Sequence, residues 1–365
     1  MNLWTRAWRE VTNDFMQDIS YRFSKNYCKP TKFLFEITPR CNLKCKMCDM
    51  WKNPVSREKE LTTEDWKKIL VDIKNWVGPF SVNISGGETF LYKDILEIIK
   101  FCATNSIRTM IITNGFLLNE ELCCKVLYSG LDILIISLDS TKAEVHDYFR
   151  GVKGTYERAT AALKFLSKKP RKMTLAILTI ILKQNLNDLV NLVKRYVAQE
   201  IDMIIFQPLQ QNFGSQIRDP HWYKRSDYWI TDLEKLNYVM DELIVMKKKG
   251  APIWNEVSQL NSIKTYYKDP NKINQNLQCM VGQSTFAIDS YGNVRFCLFM
   301  EKVGNYFDFS SPKELWESEE ADVVREKIRS CKVDCLLNCH LRRSFAEKIS
   351  RGFALIKKRG LLGEF

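Results

Sequence analysis

The segment CNLKCKMC, Cys41 to Cys48, sets three thiols at spacings of four and three residues. Three is one short of the four ligands of a structural zinc ion and one too many for a disulfide. On a cube of four irons, three thiolates would fill three corners and leave the last iron open to an outside ligand. An open iron beside a pocket is a strong reductant with a docking point. A second group follows far along the chain: Cys279 and Cys297 bracket CMVGQSTFAIDSYGNVRFC, and CKVDCLLNC adds Cys331, Cys335 and Cys339. Twelve cysteines could form a secreted disulfide scaffold, but MNLWTRAWREVTNDF at the start carries charges and no apolar signal core. Clustered thiols in a cytoplasmic chain of this size read as metal ligands. Cys28, Cys102, Cys123 and Cys124 stand apart from both groups and read as ordinary core or surface thiols.

Thiols on a loop need a scaffold. The 365 residues are 45% hydrophobic and 27% charged, an ordinary globular composition with room for a catalytic domain and a smaller one. No apolar run reaches membrane-spanning length; MTLAILTIIL (173–182) suits a buried strand. Short apolar strands are expected at FLFEI (33–37), SVNIS (81–85), TMIIT (109–113), ILIIS (133–137), TLAILTII (174–181) and MIIFQ (203–207). Helical patterns separate them, over about 92–104, 119–128, 155–167 and 187–199 after a first helix capped by Thr62 and Asp65, which buries Trp66, Ile69, Leu70, Ile73 and Trp76. Such alternation predicts an α/β fold with a parallel sheet, a partial (β/α)6 TIM-like barrel, with a doubly wound sheet as the competing architecture. In both, ligands gather at the carboxyl ends of the strands. Cys41 to Cys48, Gly86-Gly87-Glu88, Asn114-Gly115, Ser137 and Asp139, Lys183 and Asn185, and Gln207 all fall there.

With that order in hand, the chain resembles the radical S-adenosylmethionine (SAM) family, whose C-x3-C-x2-C motif CNLKCKMC fits. The resemblance implies that Cys41, Cys45 and Cys48 hold a [4Fe-4S] cluster whose open iron takes the amino and carboxylate groups of SAM. It implies reductive cleavage of SAM to a 5′-deoxyadenosyl radical that abstracts hydrogen from a substrate. SGGE (85–88) resembles the family's Gly-Gly-Glu motif, so Gly86, Gly87 and Glu88 would meet the methionine amino group. Ser137 and Asp139 resemble the ribose contacts, Arg150 the partner of the carboxylate, Met47 a residue packed near adenine, and Asn114 a further cofactor contact. The resemblance spans about residues 31–210.

The second cysteine group resembles the SPASM or twitch extension, in which a hairpin between two cysteines helps to hold an auxiliary iron–sulfur cluster; here it would turn at Tyr291-Gly292-Asn293. Five cysteines are too few for two further cubes, so one auxiliary [4Fe-4S] cluster is expected from four of Cys279, Cys297, Cys331, Cys335 and Cys339. A four-cysteine zinc knuckle competes with it. The expected divisions are an N-terminal amphipathic helix (1–30), a radical SAM barrel (31–215), a helical connector (216–275), an auxiliary-cluster domain (276–342) and a basic helix or tail (343–365).

Function is then expected to be an oxidative modification of a peptide or small molecule, with an electron donor such as flavodoxin or ferredoxin. Hydrogen abstraction from a lipid or saccharide intermediate competes. Trp4, Trp8, Val11, Phe15, Ile19 and Phe23 form an amphipathic stripe, and the C-terminal end is basic, a pattern of peripheral binding at the inner membrane face. RNA modification, suggested by the net charge of +12, ranks below because no RNA-binding module is present. No base stands out among His146, His221 and His340, and no Ser-His-Asp or paired-carboxylate set emerges. Gln207, Gln210, His221, Asp227 and Glu256 are the candidates near the opening.

Overall fold

A computed structural model describes residues 3–23, 26–53, 55, 59–215, 219–270, 279–333 and 335–337. Strand and helix alternate along most of it: α1 (Leu3–Phe23), β1 (Lys32–Thr38), α2 (Thr63–Val77), β2 (Ser81–Gly86), α3 (Ile95–Thr104), β3 (Arg108–Thr113), α4 (Glu120–Leu127), β4 (Ile133–Ser137), α5 (Ala143–Arg150), α6 (Thr155–Ser167), β5 (Thr174–Ile181), α7 (Leu189–Val197), β6 (Met203–Pro208), α8 (Leu233–Lys248), α9 (Val257–Lys268), β7 (Thr285–Ile288), β8 (Asn293–Arg295) and β9 (Gly304–Asn305). All six expected strands form within a residue or so of their predicted ends. Helices over 143–150, 257–268, 312–316 and 319–329 escaped the sequence pattern, the first because eight residues show too little periodicity to read.

The strands lie side by side as β6-β5-β4-β3-β2-β1-β7-β8-β9. The first six run parallel in chain order without a reversal, which excludes the doubly wound arrangement and leaves an unclosed barrel. β7 joins β1 in parallel, and β8 and β9 turn back antiparallel as the expected hairpin, with Gly292 at its turn in the left-handed region at φ 82°. The outer edge of β6 is also occupied. Ile204 N–H donates to Pro252 C=O at 2.7 Å, Trp254 N–H to Ile204 C=O at 2.8 Å, and the Asn255 amide pairs both ways with the Phe206 backbone at 2.7 and 2.8 Å. The open edge is thereby closed without another strand.

Strand phase sorts the side chains into two layers. On β1 the buried set Phe33, Phe35 and Ile37 faces the helices, and Phe35 packs on Trp66 of α2 with ring centroids 5.0 Å apart. Each such side chain stabilises the fold by about 1.5–3 kcal/mol. Trp66, Ile69, Leu70 and Ile73 of α2 are buried as expected, and Trp76 is half-buried. The alternate residues face the concave side, where Met110, Ile133, Ile135, Ala176, Met203 and Ile205 form a separate small cluster. Helix α1 forms over the expected stripe, with Phe15 and Phe23 exposed at 61% and 68%; the side chains of Trp4, Trp8 and Val11 and the tail from 338 lie outside the described residues.

Candidate functional site

Between Thr38 and Met50 the chain has no regular structure, so its thiols depend on neighbours. The end of α5 supplies two acceptors: Lys44 N–H donates to Arg150 C=O at 3.2 Å and Lys46 N–H to Phe149 C=O at 2.9 Å. Gly151 follows at φ 72°, and a Cβ there would lie 2.2 Å from the Lys44 carbonyl oxygen, so only glycine lets the helix end approach the loop. On the other side Asp49 N–H donates to Phe213 C=O at 2.8 Å and the Trp51 indole to Cys45 C=O at 3.2 Å.

Cys41, Cys45 and Cys48 all border one cavity of about 1060 Å³ on the concave side of the sheet. Burial pushes the Cys41 thiol up to about 11 and Cys48 to about 12; it raises Cys45 too, against the pull of the Arg150 guanidinium. A metal would therefore have to displace their protons. A zinc ion bound at about 2.3 Å per sulfur would draw thiolates to within about 3.8 Å of each other. Among the described residues no three Cys, His, Asp or Glu side chains stand close enough to share one metal ion. Three thiols bordering one cavity are a donor set that an iron–sulfur cluster accepts.

The ends of β1 and β2 are zipped beside this loop. Gly87 N–H donates to Thr38 C=O at 2.8 Å and Glu88 N–H to Arg40 C=O at 2.7 Å, and a Cβ on Gly87 would lie 2.2 Å from Arg40 O. The two glycines thus form a bare backbone ledge on the cavity, beside Cys41. Asn114, Ser137, Arg150 and Met47 line the same space.

Glu88 and Asp139 do not border the cavity themselves and act on residues that do. Glu88 is 1% exposed; its carboxylate accepts from the Thr113 hydroxyl at 2.7 Å, the Asn114 N–H at 2.8 Å and the Phe90 N–H at 3.1 Å. Its oxygens already join the ends of β2 and β3. Asp139, with no exposed surface, accepts from Arg150 Nε at 2.9 Å and Ile180 N–H at 3.1 Å. It orients the guanidinium and sits one layer from the cavity. His146 supports it from below: burial, aided by Arg150, lowers its pKa to about 4, and the neutral ring accepts the Asp139 N–H at Nδ1 over 3.1 Å.

The residue that sequence reasoning passed over is Glu36. Its strand neighbours Phe35 and Ile288 are paired across β1 and β7, and Glu36 itself pairs with Ser85 of β2. The next residues, Glu36 and Asp289, therefore share a row facing the cavity with Ser85. Asp289 is engaged: it holds Arg295 at 2.8 Å and the N–H groups of Tyr291 and Asn293 at 3.0 and 2.9 Å. Burial lifts Glu36 to about 7, opposed by Arg295 and helped by Asp289. A polar half-wall (Glu36, Asn83, Ser85, Asp289, Arg295) thus faces an apolar one (Met110, Ile112, Ile135, Leu178, Ile205). The signal was present in FLFEI: an acid in the alternate phase of an apolar strand.

Among the earlier base candidates, Gln207 borders the cavity, and Gln210 is buried against Leu336. His221, Asp227 and Glu256 are exposed and do not border it, Glu256 being the cap of α9. In the second cysteine group Cys297 is buried and Cys279, Cys331 and Cys335 are half-buried; Cys339 and His340 lie outside the described residues. Leu298, Phe299 and Met300, directly after Cys297, border the same cavity as the first three thiols. Between the groups the Phe213 and Phe299 rings stack at 5.5 Å.

The model of the radical SAM superfamily matches residues 35–196, and that of the SPASM iron–sulfur cluster-binding domain matches 279–340. The AdoMet-dependent heme synthase of Methanosarcina barkeri is 26% identical over 82% of this chain and 85% of its own length. The antilisterial bacteriocin subtilosin biosynthesis protein AlbA of Bacillus subtilis is 27% identical over 81% of this chain and 63% of that protein. Among solved structures, Streptococcus suis SuiB bound to its precursor peptide SuiA superposes with a TM-score of 0.63 at 19% identity, covering 86% of this chain and 70% of that one. The chain belongs to the radical SAM superfamily and carries a SPASM iron–sulfur cluster-binding domain.

Proposed function

We propose that this radical SAM enzyme carries out an oxidative modification of a peptide bound in the half-barrel, with Glu36 facing the substrate. The observation that carries the reading is one cavity bordered by three thiols, a two-glycine ledge, a buried Arg150 and a separate polar half-wall. Cys41, Cys45 and Cys48 would hold the [4Fe-4S] cube, and four of Cys279, Cys297, Cys331, Cys335 and Cys339 would supply the ligands of the auxiliary one. Bound together, the cube and SAM supply a 5′-deoxyadenosyl radical able to abstract hydrogen.

The rest falls to the chain. The ledge Gly86-Gly87 offers backbone to the methionine end of SAM, and Arg150, held by Asp139, offers a fork to its carboxylate. Met47 and Ile180 give apolar contact and Ser137 a hydroxyl for the nucleoside. The apolar half-wall excludes water from the reacting centre. The polar half-wall would pair with peptide N–H and C=O groups, and Glu36 can accept a proton from an N–H or O–H next to the attacked carbon. Lys44, Lys46 and Lys52 are exposed on the outer side of the cysteine loop, a charge that suits an acidic electron donor such as flavodoxin or ferredoxin.

A tetrapyrrole substrate is the second reading, because the heme synthase relative matches over most of both chains. The deciding experiment incubates the anaerobically reconstituted enzyme with unlabelled SAM and either deuterated peptide or deuterated coproporphyrin pools, and reads deuterium in 5′-deoxyadenosine. Label from peptide supports the first reading; label from porphyrin alone replaces it.

A further inference from the structure

Between Ser330 and Leu337 the described residues form neither helix nor strand. Such a segment has little of its own with which to fix a ligand, because each free residue costs conformational entropy to hold. Leu336 and Leu337 are nevertheless 2% and 5% exposed. Leu336 is held through its backbone. Its N–H donates to Gln210 Oε1 at 3.0 Å, and its C=O accepts from Gln210 Nε2 and from Gln207 Nε2, each at 3.1 Å. Gln210 is itself 4% exposed. A side-chain amide carries the donor and acceptor of a peptide group, so Gln210 makes with Leu336 the two-way bond that a neighbouring strand would make. Asn255 does the same for Phe206 at the edge of β6.

We propose that Gln210, seconded by Gln207, is a positioning residue for the auxiliary cluster, registering Cys335 on the rim of the barrel. The inference rests on reading Cys335 as a cluster ligand. Buried polar groups need partners in any protein. That need alone would not put both polar atoms of one residue, directly after a cysteine, on one side chain rooted just past β6. Leu337, on the far side of the clamp, borders the substrate cavity. One amide therefore fixes a thiolate and a piece of substrate wall together, so the distance from cluster to substrate is set by the barrel rather than by the loop.

The test uses the full chain with Cys41, Cys45 and Cys48 changed to Ala, so that about four irons, all in the second site, remain after reconstitution. In this background Gln210→Met keeps the side-chain volume and removes both hydrogen bonds to Leu336, along with the one Nε2 donates to Pro208 C=O at 3.1 Å. Iron release to bathophenanthroline should accelerate by on the order of tenfold or more, as two lost buried bonds allow, and the electron paramagnetic resonance signal of the reduced cluster should change shape. Gln207→Leu removes one bond and should give a smaller acceleration; it decides the matter if Gln210→Met does not fold by circular dichroism. Unchanged release and signal in the folded variants overturn the clamp. Absence of iron in the parent triple variant overturns the reading of the second cysteine group itself, and the clamp with it.

Discussion

Three carboxylates on the rim, Glu88 and Asp139 buried and Glu36 half-buried, differ in what surrounds them, and that difference sorts their tasks. Glu88 accepts from three donors and Asp139 from Arg150 and Ile180, while Glu36 faces the cavity with Arg295 and Asp289 as its charged neighbours. The folded chain holds the Glu36 proton up to about pH 7, against 4.5 for an ordinary glutamate. Folding therefore takes up a proton between those values, and stability falls as pH rises through that window. Glu36→Gln should raise stability at pH 8 by on the order of 1–3 kcal/mol and change it little at pH 5. Product formed per SAM cleaved should fall by about 10²-fold, and the acidic limb near pH 7 in the coupled rate should vanish. Melts at the two pH values and a pH–rate profile check this; a limb that survives the substitution rules Glu36 out as proton acceptor. Asp139→Asn leaves the Arg150 guanidinium buried beside a neutral amide. It should cost about 3–5 kcal/mol in denaturant melts and weaken SAM binding.

At the scale of elements, the catalytic loop is held from outside. Its backbone donors end on α5, so the helix absent from the sequence reading is the one the loop leans upon. Gly151→Ala adds a methyl group 2.2 Å from the Lys44 carbonyl at a left-handed position. It should destabilise by about 2 kcal/mol or more and lower iron in the first site, read after anaerobic reconstitution. Thr62→Ala provides the contrast. It removes the capping box of α2, with Asp65 N–H donating to Thr62 Oγ1 at 3.2 Å, and should cost about 1 kcal/mol without loss of iron. Equal iron loss in both would mean that the loop responds to general stability and not to its contact with α5.

Across the whole molecule, both cysteine groups send residues to one cavity, from opposite ends of the chain. Anaerobic reconstitution should give about eight irons per chain, falling to about four when Cys41, Cys45 and Cys48 become Ala. Four irons with one zinc would make the second site structural and remove any electron-accepting role. No described helix is long and apolar enough to cross a membrane, yet α1 exposes Phe15 and Phe23. If that face is interfacial, the intact chain should float with anionic vesicles, and Phe15→Ser with Phe23→Ser should abolish flotation. Failure of the unaltered chain to float removes the membrane reading.

The amino-acid sequence by itself settled the parallel sheet, the six strand positions and the placing of CNLKCKMC, SGGE and Ser137 on one rim, because period-two apolar runs and their polar ends are local properties. It also settled the hairpin between Cys279 and Cys297, through the glycine that its turn requires. Tertiary structure decided the rest. Strand order excluded the doubly wound sheet, and pairing of β1 with β7 set Glu36 beside Asp289. The partners of Glu88 and Asp139 include donors 25 and 41 residues away, Thr113 for Glu88 and Ile180 for Asp139. Gln210 likewise meets Leu336 across 126 residues. Spacing along the chain carries no record of such partners; only the closed packing of the sheet and its rim brings them within a hydrogen bond.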